Sequence, residues 1–129
     1  MTTPSGALAL VLHTHMPYVE GFGTWPFGEE WLWEAIAGSY LPLLEALPPN
    51  PPVTVSLTPV LCDQLEAPGA IERCIEFLEE IRPESHARDI DAAKRAGEHE
   101  HVAELERSAA QYAQAAATLR TLGADGLLR

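Results

Sequence analysis

The sequence predicts an α/β fold with a helix-rich carboxyl-terminal half. Two short apolar segments have the pattern of β-strands, an amphipathic helix separates them, and the rest of the chain is helical in pattern. Strand, helix and strand in this order form a β-α-β unit, whose two strands run parallel. The 129 residues suffice for one domain.

The two strands are predicted from different patterns. Residues 7–12 form a continuous apolar run, which is typical of a strand buried on both faces of a parallel sheet. In residues 53–58 apolar and hydroxyl-bearing side chains alternate, as in a half-buried strand. Between them, residues 17–28 are rich in Gly, Pro and aromatic residues, which predicts a structured loop.

The first helix is predicted to begin at Glu29 and Glu30, where negative charge suits the positive end of the helix dipole. Pro42 should kink this helix, and the proline-rich residues 48–52 should end it. Apolar residues recur along one face of it, at Leu32, Ile36, Tyr40, Leu43, Leu44 and Leu47.

After Pro59 the pattern is helical at residues 60–66, 68–81 and 89–122. The last of these stretches carries apolar residues at alternating steps of three and four, which predicts packing against a near-parallel helix. These residues are Val102, Leu105, Ala109, Tyr112, Ala116 and Leu119.

The charge and composition of the chain argue against several classes of binding partner. The formal net charge is −11, so binding to nucleic acid or to an anionic lipid surface is not expected. No apolar run approaches the length of a membrane span, and the first basic residue is Arg73, so we expect a cytoplasmic protein. Cys62 and Cys74 are expected as free thiols of a reducing compartment, although a disulfide stays open.

Two histidines follow the first predicted strand. His13 and His15 are two residues apart, so period-two geometry directs both imidazoles to the same side. They would lie at the carboxyl end of the strand, where α/β folds build binding sites. The pair is compatible with a metal site, with a sugar site, or with a turn in which both rings bond backbone carbonyls. The other histidines, at positions 86, 99 and 101, are expected on a solvated acidic helix surface.

Aromatic residues cluster beside the histidine pair. Trp33 is expected in the core, whereas Trp25 lies in a loop where burial is harder to arrange. Indole faces next to polar donors suit sugars, because C–H faces stack on the rings while hydroxyls take hydrogen bonds. The cluster consists of Phe22, Trp25, Phe27, Trp31 and Trp33.

Several segments in order resemble the amino-terminal region of glycoside hydrolase family 57, and within it most closely the 1,4-α-glucan branching enzymes. The resemblance covers roughly the first 66 residues. It rests on a His-Thr-His-Met-Pro block at residues 13–17, the tryptophan loop at 25–31 and the second-strand block at 56–61, with further matches at 34–36 and 40–44.

The resemblance implies an incomplete (β/α)7 barrel, of which residues 1–129 would form the amino-terminal part. Residues 1–66 would be a β-α-β unit with a sugar-binding loop, and residues 67–129 a helical segment. It also implies a retaining mechanism, in which a glutamate attacks the anomeric carbon, an aspartate acts as acid and base, and the two carboxylates lie about 5 to 5.5 Å apart.

By position in the family's motifs, His13, His15, Trp25 and Trp31 would bind an α-1,4-glucan. The resemblance implies no metal and no cofactor. The catalytic blocks of the family have no counterpart in these residues, so we expect an amino-terminal fragment of a branching enzyme that is inactive alone. The rest of the barrel as a separate chain is a candidate partner. Two alternatives stay open: a carbohydrate-binding or partner-complementing module, and a metal-dependent hydrolase that uses His-x-His.

Overall fold

The computed structural model of the chain describes residues 6–24 and 27–128. Within these ranges, β1 (Val11–Thr14) and β2 (Thr54–Leu57) form a parallel two-stranded sheet. The remaining elements are helical. Helix α1 joins Glu30–Ala35, Ile36–Tyr40 and Leu41–Ala46; α2 is Pro59–Glu66; α3 joins Ala70–Glu76, Phe77–Ile81 and Arg82–Ala96; and α4 is His99–Leu128.

The sheet confirms the predicted β-α-β unit. Val11 pairs with Thr54 and Thr14 pairs with Leu57, so the strands run parallel with α1 between them in sequence. β1 begins four residues later than predicted, at Val11, and extends past the predicted end to include His13. The expected burial on both faces is wrong for the described residues, since Val11 is 58% exposed. Exposure alternates along β1, so within the described residues one face of the strand is left without a covering element.

A π-helical turn, Ile36–Tyr40, lies just before Pro42, where the sequence predicts a kink. Proline has no amide hydrogen, so the regular hydrogen-bond ladder of α1 is interrupted at this residue. Residues Ile36–Tyr40 adopt the wider turn, and the Leu41 amide donates to the Ile36 carbonyl. The helix continues to Ala46, before the proline-rich segment, as the sequence predicts.

One helix predicted at residues 89–122 is two helices in the structure. Gly97 adopts a φ of 75°, which glycine reaches without steric cost, and it ends α3 there. α4 then runs back along α3, with Lys94 3.4 Å from Glu106 and the Arg82 guanidinium 4.9 Å from the centre of the Tyr112 ring. The helical geometry of α4 is interrupted at Gly123, one residue after the predicted end.

The core lies where α1, α2, α3 and α4 meet. Trp33 is buried against Phe77, with ring centroids 5.1 Å apart, as predicted for this tryptophan. Cys62 and Cys74 are free, and burial, followed by the charge of Glu34, raises the pKa of the Cys74 thiol to about 12. The side chains that form the centre of this core are Ile36, Leu61, Leu78, Cys74 and Leu119.

His86 lies in the core rather than on the solvated surface that its polar neighbours predict. Its Nε2 is 3.3 Å from the Ser108 hydroxyl, and its ring meets Tyr112 edge-on at 5.2 Å. Burial, and then the charge of Arg82, lower the pKa of His86, against smaller opposing effects of Glu34 and Asp89. His99 and His101 are exposed, as the sequence predicts.

The buried position of His86 makes the stability of the fold depend on pH. Because the pKa is lower in the folded chain, the unfolded chain binds more protons just below the ordinary value of about 6.5. The free energy of unfolding should therefore be constant above that pH and decrease as the pH falls below it. Urea denaturation between pH 5 and 8 measures this, and His86→Gln should reduce the slope. An equal reduction by His99→Gln would contradict the assignment.

Candidate functional site

The two histidines lie at the carboxyl end of β1 with their rings on the same side. Their ring centroids are 6.5 Å apart and the ring planes differ by 10°, as the two-residue spacing predicts. His13 is inside the strand, paired with Ser56, and His15 follows the last sheet pair. Both side chains are exposed, so their polar atoms are accessible to a ligand.

Ser56 on β2 orients the first imidazole. Its hydroxyl lies 3.1 Å from Nδ1 of His13, and the register of the sheet places these two residues opposite each other. The Thr14 hydroxyl donates to the Ser56 carbonyl at 2.8 Å, which ties the strands together at the same level. Because Nδ1 is engaged by β2, Nε2 is the nitrogen of His13 that remains for a ligand.

The histidine pair lines an open hollow between β1 and α1. The hollow has a volume of about 570 Å³, and both strand and helix contribute polar groups to it. Ser39 and Tyr40 supply hydroxyls, and burial raises the pKa of Tyr40, so its phenol stays protonated at neutral pH. Imidazole nitrogens and neutral hydroxyls both donate and accept hydrogen bonds, which suits a ligand rich in hydroxyl groups.

Trp31 faces solvent from the start of α1. It is 43% exposed, and Phe27 packs edge-on against it with ring centroids 5.4 Å apart. Trp31 lines a second hollow, of about 560 Å³, together with Glu34, Arg82 and other residues of α1 and α3. The structure therefore does not bring Trp31 and the histidines into one hollow, although Ala35, one turn after Trp31, lines the histidine hollow. Trp25 lies outside the described residues.

Comparison with known proteins points to one group of enzymes. Over 66 residues the chain is 50% identical to the 1,4-alpha-glucan branching enzyme of Thermococcus kodakarensis, an alignment of 46% of this chain and 10% of that enzyme. A probable 1,4-alpha-glucan branching enzyme of Mycobacterium tuberculosis is 44% identical over 79 residues, which cover 57% of this chain and 15% of that protein. A search against protein-family models found no match.

Two solved structures of branching enzymes have a fold similar to nearly the whole of this chain. The crystal structure of the GH57-type branching enzyme from Pyrococcus horikoshii superposes with a TM-score of 0.65 and 28% identity, covering 92% of this chain and 23% of that one. The resemblance to glycoside hydrolase family 57 branching enzymes is confirmed. The family 57 branching enzyme from Thermococcus kodakaraensis, solved in complex with glucose and additives, has the same TM-score and identity over 95% of this chain and 23% of its own.

The chain therefore spans less than a quarter of the family 57 enzymes that it matches. It spans about a tenth to a seventh of its curated relatives. The sequence matches cover about half of this chain, whereas the structural matches cover more than nine-tenths of it.

The carboxylates near the site have structural partners. Glu29 is 7% exposed and receives two hydrogen bonds from the Arg73 guanidinium, at 2.5 and 3.2 Å. Glu34 accepts a hydrogen bond from the Tyr112 hydroxyl and lies 3.2 Å from Nε of Arg82. Partial burial, and then the charge of Glu34, raise the pKa of Glu30. The sequence indicates no catalytic role for these residues, and the ion pairs of Glu29 and Glu34 connect α1 to α3.

Sequence reasoning missed Ser56 as a partner of His13 and Gln64 as a partner of the loop after His15. The alternation of residues 53–58 was a signal for Ser56, because it places hydroxyls on one face of the strand next to the histidines. Gln64 had no such signal.

Among the described residues, no group of three or more His, Cys, Asp or Glu side chains is arranged to hold a metal ion. In the same residues, no helix combines the length and the apolar character that crossing a bilayer requires.

Proposed function

We propose that this chain forms one wall of the substrate site of a cytoplasmic, retaining 1,4-α-glucan branching enzyme. It would supply sugar-binding residues, while the two reacting carboxylates come from outside these 129 residues. The observation that carries the proposal is the pair of parallel, exposed imidazoles above a hollow at the carboxyl end of β1, in a chain that resembles branching enzymes. β1 and β2 would be the first two strands of the (β/α)7 barrel.

The geometry supports a linear α-1,4-glucan as the ligand. His13 and His15 offer two hydrogen-bonding rings 6.5 Å apart, on the scale of a single sugar ring and its hydroxyls. Trp31 offers an exposed indole face one helical turn from the wall of the histidine hollow. A chain of several sugars would bond the imidazoles with one unit and stack on Trp31 with another. By its place in the family's motif, Trp25 is proposed as a further sugar-binding residue.

Branch formation on amylose tests the proposal. The purified 129-residue chain should form no new α-1,6 linkage above a blank, because the reacting acids are absent and their loss costs many orders of magnitude in rate. Addition of a polypeptide that covers the remaining part of a family 57 relative should restore branching. In the restored system, His13→Ala should reduce the rate about a hundredfold, as expected when a substrate-positioning group is lost.

His99→Ala is the matched control, since His99 is exposed and far along the chain on α4. It should leave the restored rate unchanged. Branching by the 129-residue chain alone would contradict the proposal that the reacting carboxylates lie outside it. An equal loss of branching rate in the His13 and His99 variants would contradict the role of His13.

A second candidate is a module that binds carbohydrate or docks on a separate protein without catalysis. The strand edges favour it, because among the described residues each strand has one neighbouring strand and therefore one uncovered edge. Backbone groups at such an edge can bond a strand of another protein, and Leu10 and Val11 nearby are more than half exposed. This module would bind glucan and co-purify with the complementing polypeptide without any branching in the mixture. A metal-dependent hydrolase is favoured by no observation in the described residues, where the histidine pair is not part of a metal-binding cluster.

A further inference from the structure

The buried amide of Gln64 is the most heavily hydrogen-bonded side chain near the site. Gln64 lies on α2 and is 1% exposed. Its Oε1 accepts from the backbone amides of Val19 and Glu20, at 2.6 and 3.2 Å. Its Nε2 donates to the carbonyls of Pro17 and Val60, at 3.1 and 3.2 Å. All four hydrogen-bonding positions of the amide are used.

Three of these four partners belong to one short segment, residues 17–20, which follows the histidine pair. Two backbone amides face Oε1 and a backbone carbonyl faces Nε2. If the side-chain amide were rotated by 180°, its NH2 group would face the two backbone amides, and these hydrogen bonds would be lost. The same segment is anchored by apolar contacts, since Val19, and Met16 just before it, are buried in the core. Gln64 thus holds the backbone of a loop that carries no hydrogen-bond ladder of its own.

The sheet holds His13, whereas His15 lies beyond its last pair. The pairing of β1 with β2 ends at Thr14, so His13 is inside the sheet and is also held by Ser56. His15 is the first residue beyond the paired strand and lies two residues before Pro17. A shift of residues 17–20 would therefore move His15 relative to His13 and change the spacing of the two imidazoles.

We propose that Gln64 is a positioning residue of the glucan site, which sets the placement of His15 through its bonds to residues 17–20. This inference rests on the proposed function for its ligand. Gln64 itself touches no substrate, because it is buried behind the loop. Its role is to keep the second imidazole parallel to the first.

The test compares Gln64→Leu, Gln64→Glu and the control Gln114→Leu, whose glutamine is exposed on α4. Imidazole NMR signals and the Kd for maltoheptaose are measured well below the unfolding temperature, where each variant is folded. Gln64→Leu should shift the His15 signal, leave that of His13 in place and weaken binding about tenfold, the loss of about one hydrogen bond. Gln114→Leu should match the unchanged chain in all three.

Gln64→Glu adds a signature that a purely structural residue would not have. The ionised carboxylate accepts from Val19 and Glu20 but cannot donate to Pro17, whereas the protonated acid regains one donor. Relative to the unchanged chain at the same pH, the His15 signal of this variant should return toward normal as the pH falls. This variant also decides the question if Gln64→Leu does not fold.

An unchanged His15 signal and an unchanged Kd in both Gln64 variants would overturn the inference, even if both variants were less stable. The two proposals also fail separately. If the unchanged chain shows no binding of maltoheptaose, the proposed function is contradicted, while the His15 signal still reports whether Gln64 positions this ring.

Discussion

Leu119→Ala should lower the free energy of unfolding by about 3 to 4 kcal/mol, within the range for a leucine deleted from a closed core. The Leu119 side chain is 0% exposed and lies in the cluster that joins α4 to α1, α2 and α3. The alanines before it on α4, Ala115 and Ala116, are too short to fill the space that would be left. The cost therefore includes both the lost transfer free energy and the cavity.

Leu122→Ala is the control for this substitution. Leu122 lies three residues later on the same helix and is 38% exposed, so its truncation should cost about 1 kcal/mol or less. Urea denaturation monitored by circular dichroism measures both losses. Equal losses for the two leucines would contradict the placement of Leu119 at the centre of the helical core.

Arg73→Met should lower the free energy of unfolding by about 2 to 3 kcal/mol, because it leaves the buried Glu29 carboxylate without its partner. The guanidinium forms two bonds to that carboxylate and one, at 3.0 Å, to the Pro68 carbonyl. Hydrogen bonding to Glu29 raises the pKa of Arg73 against the opposing effect of burial, so the Arg73 guanidinium is charged at neutral pH. Methionine keeps most of the length of the side chain but none of these bonds.

The surface pair of Arg120 and Glu79 is a matched control, because it has the same bidentate geometry, at 2.8 and 2.5 Å, but is largely exposed. Arg120→Met should destabilise the fold far less than Arg73→Met, because an exposed ion pair is screened by solvent. In Arg73→Met the indole fluorescence should also change, since the Glu29 amide donates to the Gly23 carbonyl and Glu29 anchors the loop before Trp31. Equal destabilisation by the two substitutions, with unchanged fluorescence, would contradict the role assigned to the buried pair.

The β-α-β unit could be predicted because its signals are local. Alternation in residues 53–58 and the proline-rich segment before them mark a strand and a helix end without knowledge of the rest of the fold. The start of β1 was misplaced because an apolar run does not show which residues find a partner. The pairing with Thr54–Leu57 selects Val11–Thr14 and leaves residues 7–10 outside the strand.

The errors in the helical half have physical causes as well. A glycine inside a helix costs only about 1 kcal/mol, so Gly97 within a strongly helical sequence did not reveal a chain reversal. His86 is surrounded by polar residues, and only the packing of α4 onto α3 buries it.

The contacts that shape the site were beyond the reach of sequence patterns. Gln64 binds a segment 44 to 47 residues earlier, and Arg73 binds Glu29 from 44 residues away. Such pairs leave no periodic signal, because each residue type also occurs on solvated helix surfaces. The histidine pair was visible because its spacing alone determines the relative direction of the two rings.

Titration of the isotope-labelled chain with maltoheptaose shows whether His13, His15 and Trp31 together bind a glucan. The imidazole signals of His13 and His15 and the indole signal of Trp31 should shift together and saturate with one affinity, while those of His99 and His101 stay in place. Signals of His13, His15 and Trp31 that do not move at saturating sugar, or that move only with the two control histidines, would contradict a glucan site on this surface.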